Sequence, residues 1–298
     1  MYNNTKNNSI EVESHKRDFD ALSDIEYYKR LSLDNLKAIE LSQTLSDKYS
    51  VIYSCGSFVS FSEGHLVGAN FCRERFCTLC QKRKSLKVYS DMHKVFQLLG
   101  DEYTFVHLVL TVRNVSSFNL SGTIDKLFSA SRKLFNNSRV KQGFKGVMRC
   151  LEVSYNSAAD NYHPHLHCLC VVKPSYFHSR YYLKQADLSL MWADALGVDY
   201  SPQIYITKAD TSAALEIAKY SCKPLELDLP LRKRAEVFDV LNRALKGRRL
   251  IQFFGVLREV TKELKINFDT DNESLPAETV ESYHFDFATQ KYLKFDII

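Results

Sequence analysis

The sequence is short of the residues that interrupt regular structure, with 10 Gly and 6 Pro among 298 residues. This scarcity excludes collagen-like and low-complexity chains, and a hydrophobic share of 45% excludes a wholly disordered one. Long apolar runs are also missing. The longest nearly uninterrupted one extends only from Phe105 to Val112, whereas a membrane-spanning helix needs roughly 20 residues. We therefore expect a globular chain with room for one large or two modest cores.

The N-terminal 16 residues contain no apolar block of the kind that a secretory signal requires. We therefore expect the protein in the reducing cytoplasm, where thiols stay reduced or bind metal. Charge is unevenly distributed along the chain. The net charge is +5, but six acidic and two basic residues give residues 271–298 a net charge of −4, so the rest carries +9. Such a basic body suits contacts with phosphates, although solvated helix faces explain any single basic cluster equally well.

Hydrophobic periodicity divides the chain into four regions. Residues 1–50 are predicted to form a polar segment and a helical arm broken near Asp34, and residues 51–99 a cysteine module and a basic helix. Residues 100–225 alternate strands with helices, and a short polar loop joins two of the strands, which predicts an α+β core. Residues 226–298 are predicted to be a basic helical region with an acidic tail.

Three histidines alternate along one predicted strand. His163, His165 and His167 share a face, and neighbours on that face lie roughly 6.6 Å apart, close enough for two imidazoles to bind one ion. Pro164 is expected at the start of the strand, which leaves His163 at the edge and favours His165 with His167. Three histidines placed by chance are the alternative interpretation of this stretch.

The hairpin that precedes these histidines supplies a third candidate ligand. If its loop is centred between Ala158 and Ala159, Glu152 faces His165, and Cys150 faces His167. Two imidazoles and a carboxylate suit Mn²⁺ or Mg²⁺ and can also hold Zn²⁺ or Fe²⁺. A strand-edge carboxylate paired with a nearby basic side chain is the alternative role for Glu152.

The predicted helix from Thr211 to Cys222 gathers its reactive side chains on one face. These side chains are Glu216, Lys219, Tyr220 and Lys223. A tyrosine hydroxyl, with a pKa near 10, is a poor nucleophile unless charge on the phenolate or the phosphate is stabilised. The two lysines and a nearby metal can provide that stabilisation, and Glu216 can act as a general base. A solvent-exposed face with a stray tyrosine is the alternative.

A cysteine cluster lies ahead of the predicted core. Cys72, Cys77 and Cys80 are closely spaced, and either Cys55 or His65 can be the fourth ligand of a structural tetrahedral Zn²⁺ site. The remaining cysteines are expected to be small core residues. They are Cys150, Cys168, Cys170 and Cys222.

The motifs together resemble a known enzyme family. A His-hydrophobic-His strand preceded by His-Pro, followed roughly 50 residues later by Glu-x-x-Lys-Tyr-x-x-Lys, closely resembles the HUH endonuclease domain of plasmid rolling-circle replication initiators. The resemblance extends from about Cys55 to Gly255. Three further segments agree with it: Thr104 to Asn114, Leu151 to Val153 and Ala244 to Leu250.

The resemblance implies a fold, an activity and partners. It implies a central antiparallel sheet of ferredoxin-like or RRM-like type with flanking helices, and His165 and His167 as ligands of the divalent ion. Tyr220 would nick one strand of the origin and form a 5′-phosphotyrosyl intermediate, and a host polymerase would extend the free 3′-hydroxyl. Glu216 stands where some relatives carry a second tyrosine, so termination would proceed by hydrolysis. Implied partners are the origin DNA, a host helicase and a polymerase, with a homo-oligomer left open.

Initiators of this kind often carry cysteines just ahead of the nuclease, with proline after the cysteine that matches Cys77. Thr78 stands there in this chain and should not remove a ligand. Basic residues of the two flanking regions are predicted to contact DNA: Arg73, Arg75, Arg83, Lys84, Arg248 and Arg249. Two other functions remain open, a single-tyrosine transposase of related chemistry and a non-catalytic, zinc-containing DNA-binding repressor.

Overall fold

The computed structural model describes Phe19 and residues 21–218, 228–266 and 280–295. The helices are α1 (Leu22–Leu41), α2 (Tyr49–Ser54), α3 (Thr78–Leu99), α4 (Leu120–Asn136), α5 (Ser138–Gly143), α6 (Gln185–Leu196), α7 (Thr211–Ala218), α8 (Leu231–Leu245) and α9 (Val256–Glu263). The strands are β1 (Phe58–Ser62), β2 (His65–Ala69), β3 (Thr104–Thr111), β4 (Gly146–Asn156), β5 (Asn161–Val172), β6 (Ile204–Ala209), β7 (Ile251–Gly255), β8 (Glu281–Asp286) and β9 (Lys291–Lys294). Over these ranges no helix has the length and apolar character needed to cross a membrane.

The strands form two antiparallel sheets, which agrees with the predicted α+β class. The smaller sheet has the order β2-β1-β8-β9, and the larger has the order β6-β3-β5-β4-β7. In the larger sheet, β3, α4, β4, β5, α6 and β6 follow one another in the βαββαβ order of ferredoxin-like folds. The histidine strand β5 is therefore the central strand of this sheet, between β3 and β4.

The larger sheet has two differently covered faces. One face packs on α4 and α6, where Leu108 and Leu166 of the sheet share a buried cluster with Ile124 and Trp192. The other face is covered in part by α3, α7 and α9, whose apolar side chains form a second buried cluster with Leu169. Because side chains alternate along β5, Leu169 points to the same face as His165 and His167. The histidines and the second cluster therefore share one side of the sheet.

The β4–β5 hairpin has the predicted register. Glu152 pairs with His165, and Cys150 pairs with His167. Pairing of β5 with β3 reaches only to the His165–Thr111 pair, one residue after Pro164, so the residue that lacks an N–H lies outside that ladder. The strand itself starts earlier than predicted, at Asn161, because its pairing with β4 continues to the Asn156–Asn161 pair.

Three elements differ from the sequence prediction. α1 is one continuous helix without a break at Asp34, because that side chain is exposed while residues on either side continue a buried stripe. α3 begins at Thr78, so Cys80 lies in its first turn rather than ahead of the helix. The acidic tail contains the hairpin β8–β9, and β8 pairs with β1 of the cysteine module. Buried Phe285 and Tyr292 anchor this hairpin.

Candidate active site

A carboxylate and two imidazoles converge on the partly open face of the larger sheet. Glu152 Oε2 lies 2.8 Å from His167 Nε2 and 3.2 Å from His165 Nε2. Adjacent strands bring the carboxylate beside the imidazoles, and alternation along β5 brings the two imidazoles together. These three side chains form what we call the Glu-His-His group.

The spacing of the Glu-His-His group fits a divalent ion. Ligand atoms about 2.0–2.2 Å from one ion lie about 2.8–3.6 Å apart at coordination angles of 90° to 109°. Both distances from Glu152 fall within that range. Only part of each side chain faces solvent, with side-chain exposures of 23% for Glu152, 13% for His165 and 9% for His167. An ion held here would keep open positions for water or phosphate oxygens.

Both imidazoles are oriented by hydrogen bonds at their second nitrogen. His165 Nδ1 lies 3.0 Å from the backbone oxygen of His163, and His167 Nδ1 lies 3.0 Å from His107 Nε2. When an ion replaces the hydrogen bonds from Nε2 to Glu152, donation from Nδ1 in both rings leaves the two Nε2 lone pairs free to bind it. His107 Nε2 must then be the acceptor. The rings of His107 and His167 stack with centroids 5.3 Å apart.

His107 is a site residue that the sequence prediction missed. It lies on β3, 60 residues before His167, in the segment from Thr104 to Asn114, for which the sequence predicts no site residue. Burial, together with the neighbouring His167, lowers the pKa of His107 to about 4, so its ring is neutral near pH 7. A neutral ring is what an acceptor at Nε2 requires.

The carboxylate of the group is ionised. Burial acts to raise the pKa of Glu152, but hydrogen bonds from His165 and His167, together with their charge, outweigh it and lower this pKa to about 2. His163 lies outside the group, with its Nδ1 2.8 Å from Asn114 Oδ1.

Helix α7 packs on the same side of the sheet as the Glu-His-His group. Its residues Ala214, Leu215 and Ile217 are buried in the cluster that contains Leu169. Glu216 lies within α7, with its side chain outside the described part of the chain. The other predicted catalytic residues lie outside the described residues: Lys219, Tyr220 and Lys223.

The four predicted zinc ligands also come together. Cys55 Sγ lies 3.4 Å from Cys80 Sγ and 3.6 Å from Cys77 Sγ, and Cys72 Sγ lies 3.7 Å from Cys80 Sγ. Tetrahedral zinc with Zn–S bonds of about 2.3 Å places its sulfurs about 3.8 Å apart, whereas a disulfide needs about 2.05 Å. We call these residues the four-cysteine group. The alternative fourth ligand, His65, is exposed on β2 and outside the group.

The surroundings of the four-cysteine group suit bound thiolates. The backbone N–H groups of Cys72 and Arg73 donate to Cys55 Sγ and Cys80 Sγ, at 3.3 and 3.2 Å, and Arg73 adopts a positive φ of 61° to do so. Gly56 has a φ of +66°, and a Cβ there would lie 2.4 Å from Leu79. Hydrogen bonds from Cys55 and the other thiols lower the pKa of Cys77. Four thiolates this close require a cation to balance their charge.

Lys29 of α1 lies buried beside the four-cysteine group. Its Nζ donates to the backbone oxygens of Tyr53 and Cys55, at 2.5 and 2.6 Å. Burial lowers the pKa of Lys29, while the nearby cysteines oppose this effect. The ammonium also lies over the rings of Phe285 and Phe287, 5.5 and 5.2 Å from their centroids.

The basic residues predicted to contact DNA differ in their surroundings. Arg73 and Arg249 are exposed, and Lys84 is half-buried. The other three already contact protein groups. Arg75 donates to the Leu245 oxygen, Arg83 lies over the Phe71 ring, and Arg248 pairs with both oxygens of Asp125. The predicted core cysteines Cys150, Cys168 and Cys170 are buried, and Cys222 lies outside the described residues.

The family comparison and the sequence comparisons both match this chain to replication proteins. Residues 63–295 match the model of a family described as "Replication protein". The chain is 32% identical to "Protein rep" of Streptococcus pneumoniae serotype 2, over 80% of this chain and 79% of that protein. It is 31% identical to "Protein rep" of a Bacillus species, over 76% and 83%, and 29% identical to "Protein rep" of Lentilactobacillus hilgardii, over 80% and 82%. No solved structure matches the chain.

Proposed function

Because this chain belongs to the family described as "Replication protein", we propose that it starts rolling-circle replication of a plasmid by nicking one strand of the origin through Tyr220. The observation that carries the proposal is the shared side of the larger sheet. The Glu-His-His group and the buried side chains of α7 lie on it together. Tyr220 follows the last described residue of α7, Ala218, by two positions.

In the proposed reaction, the Tyr220 oxygen attacks the scissile phosphorus. An O–P bond to the tyrosine forms, the bond from phosphorus to the 3′ oxygen breaks, and the 5′ phosphate remains on the tyrosine. Water takes the phenol proton, and the departing 3′ oxygen gains a proton to become a primer hydroxyl. Lys219 and Lys223 contribute positive charge toward the phosphate and the phenolate.

Two kinds of ion fit the two groups. Glu152, His165 and His167 would hold Mn²⁺ or Mg²⁺, and Cys55, Cys72, Cys77 and Cys80 would hold a structural Zn²⁺. A divalent ion at the first group supplies charge stabilisation of the phosphate. His107 and the His163 carbonyl keep the two imidazoles in the tautomer that such an ion requires.

The nucleophile is tested with a labelled single-stranded origin oligonucleotide and Mn²⁺. We expect a denaturation-resistant protein–DNA adduct from the wild type and none from Tyr220→Phe, which lacks the attacking oxygen but should still bind origin DNA. Tyr27→Phe, at a 52% exposed position on α1, is the control and should form the adduct. An adduct from Tyr220→Phe would refute the assignment, and the absence of one from the wild type would refute the covalent mechanism.

Glu216 is proposed to activate the water that ends the cycle. Glu216→Ala should therefore leave the first nick within about threefold of the wild-type rate and slow release of the protein from its phosphotyrosyl adduct by about 10²-fold or more. Both rates come from one time course of adduct formation and decay. Equal losses in both steps would show that Glu216 acts in the first cleavage instead.

The remaining parts of the proposal concern partners. The exposed residues Arg73 and Arg249 would contact origin DNA, and Lys84, Arg75, Arg83 and Arg248 would support that surface. A host helicase and polymerase would act on the nicked product, and the chain would work alone or as a homo-oligomer.

The four-region division of the chain also remains a prediction. The Glu-His-His group favours the enzyme over a non-catalytic repressor, and the replication-protein family favours it over a transposase.

A further inference from the structure

Within the part of the chain that the structure describes, the Glu-His-His group borders a strip of the larger sheet that no helix covers. α3, α7 and α9 bury the part of this face around Leu169, but Val109 and Thr111 of β3 are only half-buried. Beyond them lies the edge strand β6, whose Tyr205 is 56% exposed. A tyrosine this exposed in the middle of a strand contributes little to the core, and its ring is accessible to a ligand.

Tyr205 lies in the same row of the sheet as His167. Tyr205 pairs with Val109, and Val109 pairs with His167, so all three side chains point to one face. Two strand spacings of about 4.8 Å separate Tyr205 from His167 by about 10 Å. A nucleotide whose phosphate lies at the Glu-His-His group can therefore direct its base toward Tyr205.

Contacts with the metal-ligand network restrain the tyrosine ring. Tyr205 meets His107 edge to face, with centroids 6.3 Å apart and an interplanar angle of 75°, and His107 stacks on His167. Val109 and Thr111, between Tyr205 and the Glu-His-His group, carry no charge that would repel phosphate. At the end of the strip, the Arg113 guanidinium lies 4.0 Å from the centroid of the Tyr200 ring.

We propose that Tyr205 is a stacking platform for a base of the single-stranded DNA next to the scissile phosphate. The inference rests on the proposed nicking function, because a phosphate at the Glu-His-His group fixes where the neighbouring base falls. Aromatic side chains beside a strand-binding surface bind unpaired bases through their faces with little sequence preference. Base-paired DNA keeps those faces stacked inside the duplex, so the platform selects a strand that has already been opened.

The test compares the affinities of variants for fluorescein-labelled dT20. All proteins carry Tyr220→Phe, so that no cleavage occurs during the measurement. Tyr205→Ala should weaken binding about tenfold, the loss that follows when one stacked base loses its partner. Tyr205→Phe keeps the ring and should restore the affinity of the parent protein. Tyr27→Ala removes a comparably exposed tyrosine on α1 and should bind as the parent does.

A second measurement identifies the contact directly. With an iodouracil-substituted oligonucleotide, irradiation should cross-link the peptide that contains Tyr205 in the parent protein, and Tyr205→Ala should lose this cross-link. The inference is overturned if Tyr205→Ala binds dT20 as tightly as the parent, or if Tyr205→Phe loses as much affinity as Tyr205→Ala. The second result would mean that the hydroxyl makes the contact.

Failure of this inference is separable from failure of the nicking function. If the wild type forms its covalent adduct while Tyr205→Ala binds dT20 normally, the platform is wrong and the nuclease assignment stands. If the wild type forms no adduct while Tyr205→Ala still weakens dT20 binding about tenfold, the platform stands as a DNA contact and the nuclease assignment is wrong. A parent protein with no affinity for dT20 overturns the platform.

Discussion

At the scale of single residues, the Glu-His-His group depends on a side chain that is not one of its ligands. His107 accepts a hydrogen bond from His167 Nδ1, and this bond fixes both the ring orientation and the tautomer of His167. The interaction is possible because His107 is neutral. His165 is held differently, by a backbone oxygen that no substitution of a side chain removes.

His107→Phe should therefore weaken metal binding without removing a ligand. Phe preserves the ring shape but accepts no hydrogen bond, so we expect Mn²⁺ affinity to fall about 10-fold to 100-fold, the usual range for a lost partner of a metal-binding histidine. Calorimetric titration of the purified protein with Mn²⁺ at pH 7.5 measures this change, and thermal unfolding checks the fold.

The control is His163→Phe, which alters a neighbouring histidine outside the Glu-His-His group. Its imidazole Nδ1 pairs with Asn114, and its ring stacks on the His165 ring with centroids 5.0 Å apart. Phe keeps that stacking, so Mn²⁺ affinity should stay within about threefold of the wild type. Equal losses in the two variants would mean that His107 has no specific effect on His167.

At the scale of secondary-structure elements, one buried carboxylate ties α8 to the turn after α1. Asp239 accepts hydrogen bonds from the Ser42 and Thr44 hydroxyls and from the backbone N–H groups of Gln43 and Thr44, at 2.6 to 3.0 Å. Burial acts to raise the pKa of Asp239, but these hydrogen bonds outweigh it and lower the pKa below the usual 3.8.

Asp239→Asn should destabilise the protein by about 2–4 kcal/mol near pH 7, because an amide cannot accept all four bonds and hydrogen bonds to a charged group are worth about 1.5–3 kcal/mol each. The folded-state pKa is the lower one, so the contribution is complete above the unfolded value and is lost as pH falls through the folded value. Urea unfolding at about pH 7 should thus show a large difference in unfolding free energy between the wild type and Asp239→Asn. Well below pH 3.8 the same difference should be small.

The exposed residue Asp199 provides the comparison for this experiment. Asp199→Asn should change the unfolding free energy by less than about 0.5 kcal/mol at either pH. A pH-independent difference between wild type and Asp239→Asn would contradict the ionised carboxylate as the source of the stabilisation.

The sequence predicted those parts of the structure that depend on residues close together in the chain. A period of two and a short polar loop fix the β4–β5 register, so the pairing of Glu152 with His165 followed from the sequence. The His107 contact did not, because it requires β3 to pair with β5 across some 60 residues, and no local pattern sets that register. The sequence did not predict the tail hairpin, because its acidic residues indicated an exposed segment although Phe285 and Tyr292 are buried.

At the scale of the whole molecule, the two candidate metal groups hold different parts of the chain. The Glu-His-His group lies within the β4–β5 hairpin, between strands that already pair along their length. The four-cysteine group joins distant segments: Lys29 and Ser32 of α1 contact Cys55 and Cys77, and Tyr292 of the tail hairpin donates to the Gly56 oxygen. Loss of an ion should therefore have different consequences at the two groups.

Cys80→Ser should lower both the zinc content and the unfolding temperature. With one ligand missing, the remaining thiols lose the cation that balances them, and α1, α3 and the β8–β9 hairpin lose their common attachment. We expect the midpoint of thermal unfolding to fall by about 10 °C, the shift that a loss of several kcal/mol gives in a chain of this size. Elemental analysis of the purified protein measures zinc.

His165→Ala is the matched variant at the other group. It should abolish Mn²⁺ binding and adduct formation but move the unfolding midpoint by less than about 3 °C, because the hairpin ladder remains intact. Unchanged zinc stoichiometry in Cys80→Ser would refute the zinc assignment. Equal destabilisation by the two variants would contradict the division of roles, because a catalytic ion on a preformed sheet and a structural ion between distant segments cannot contribute equally to folding.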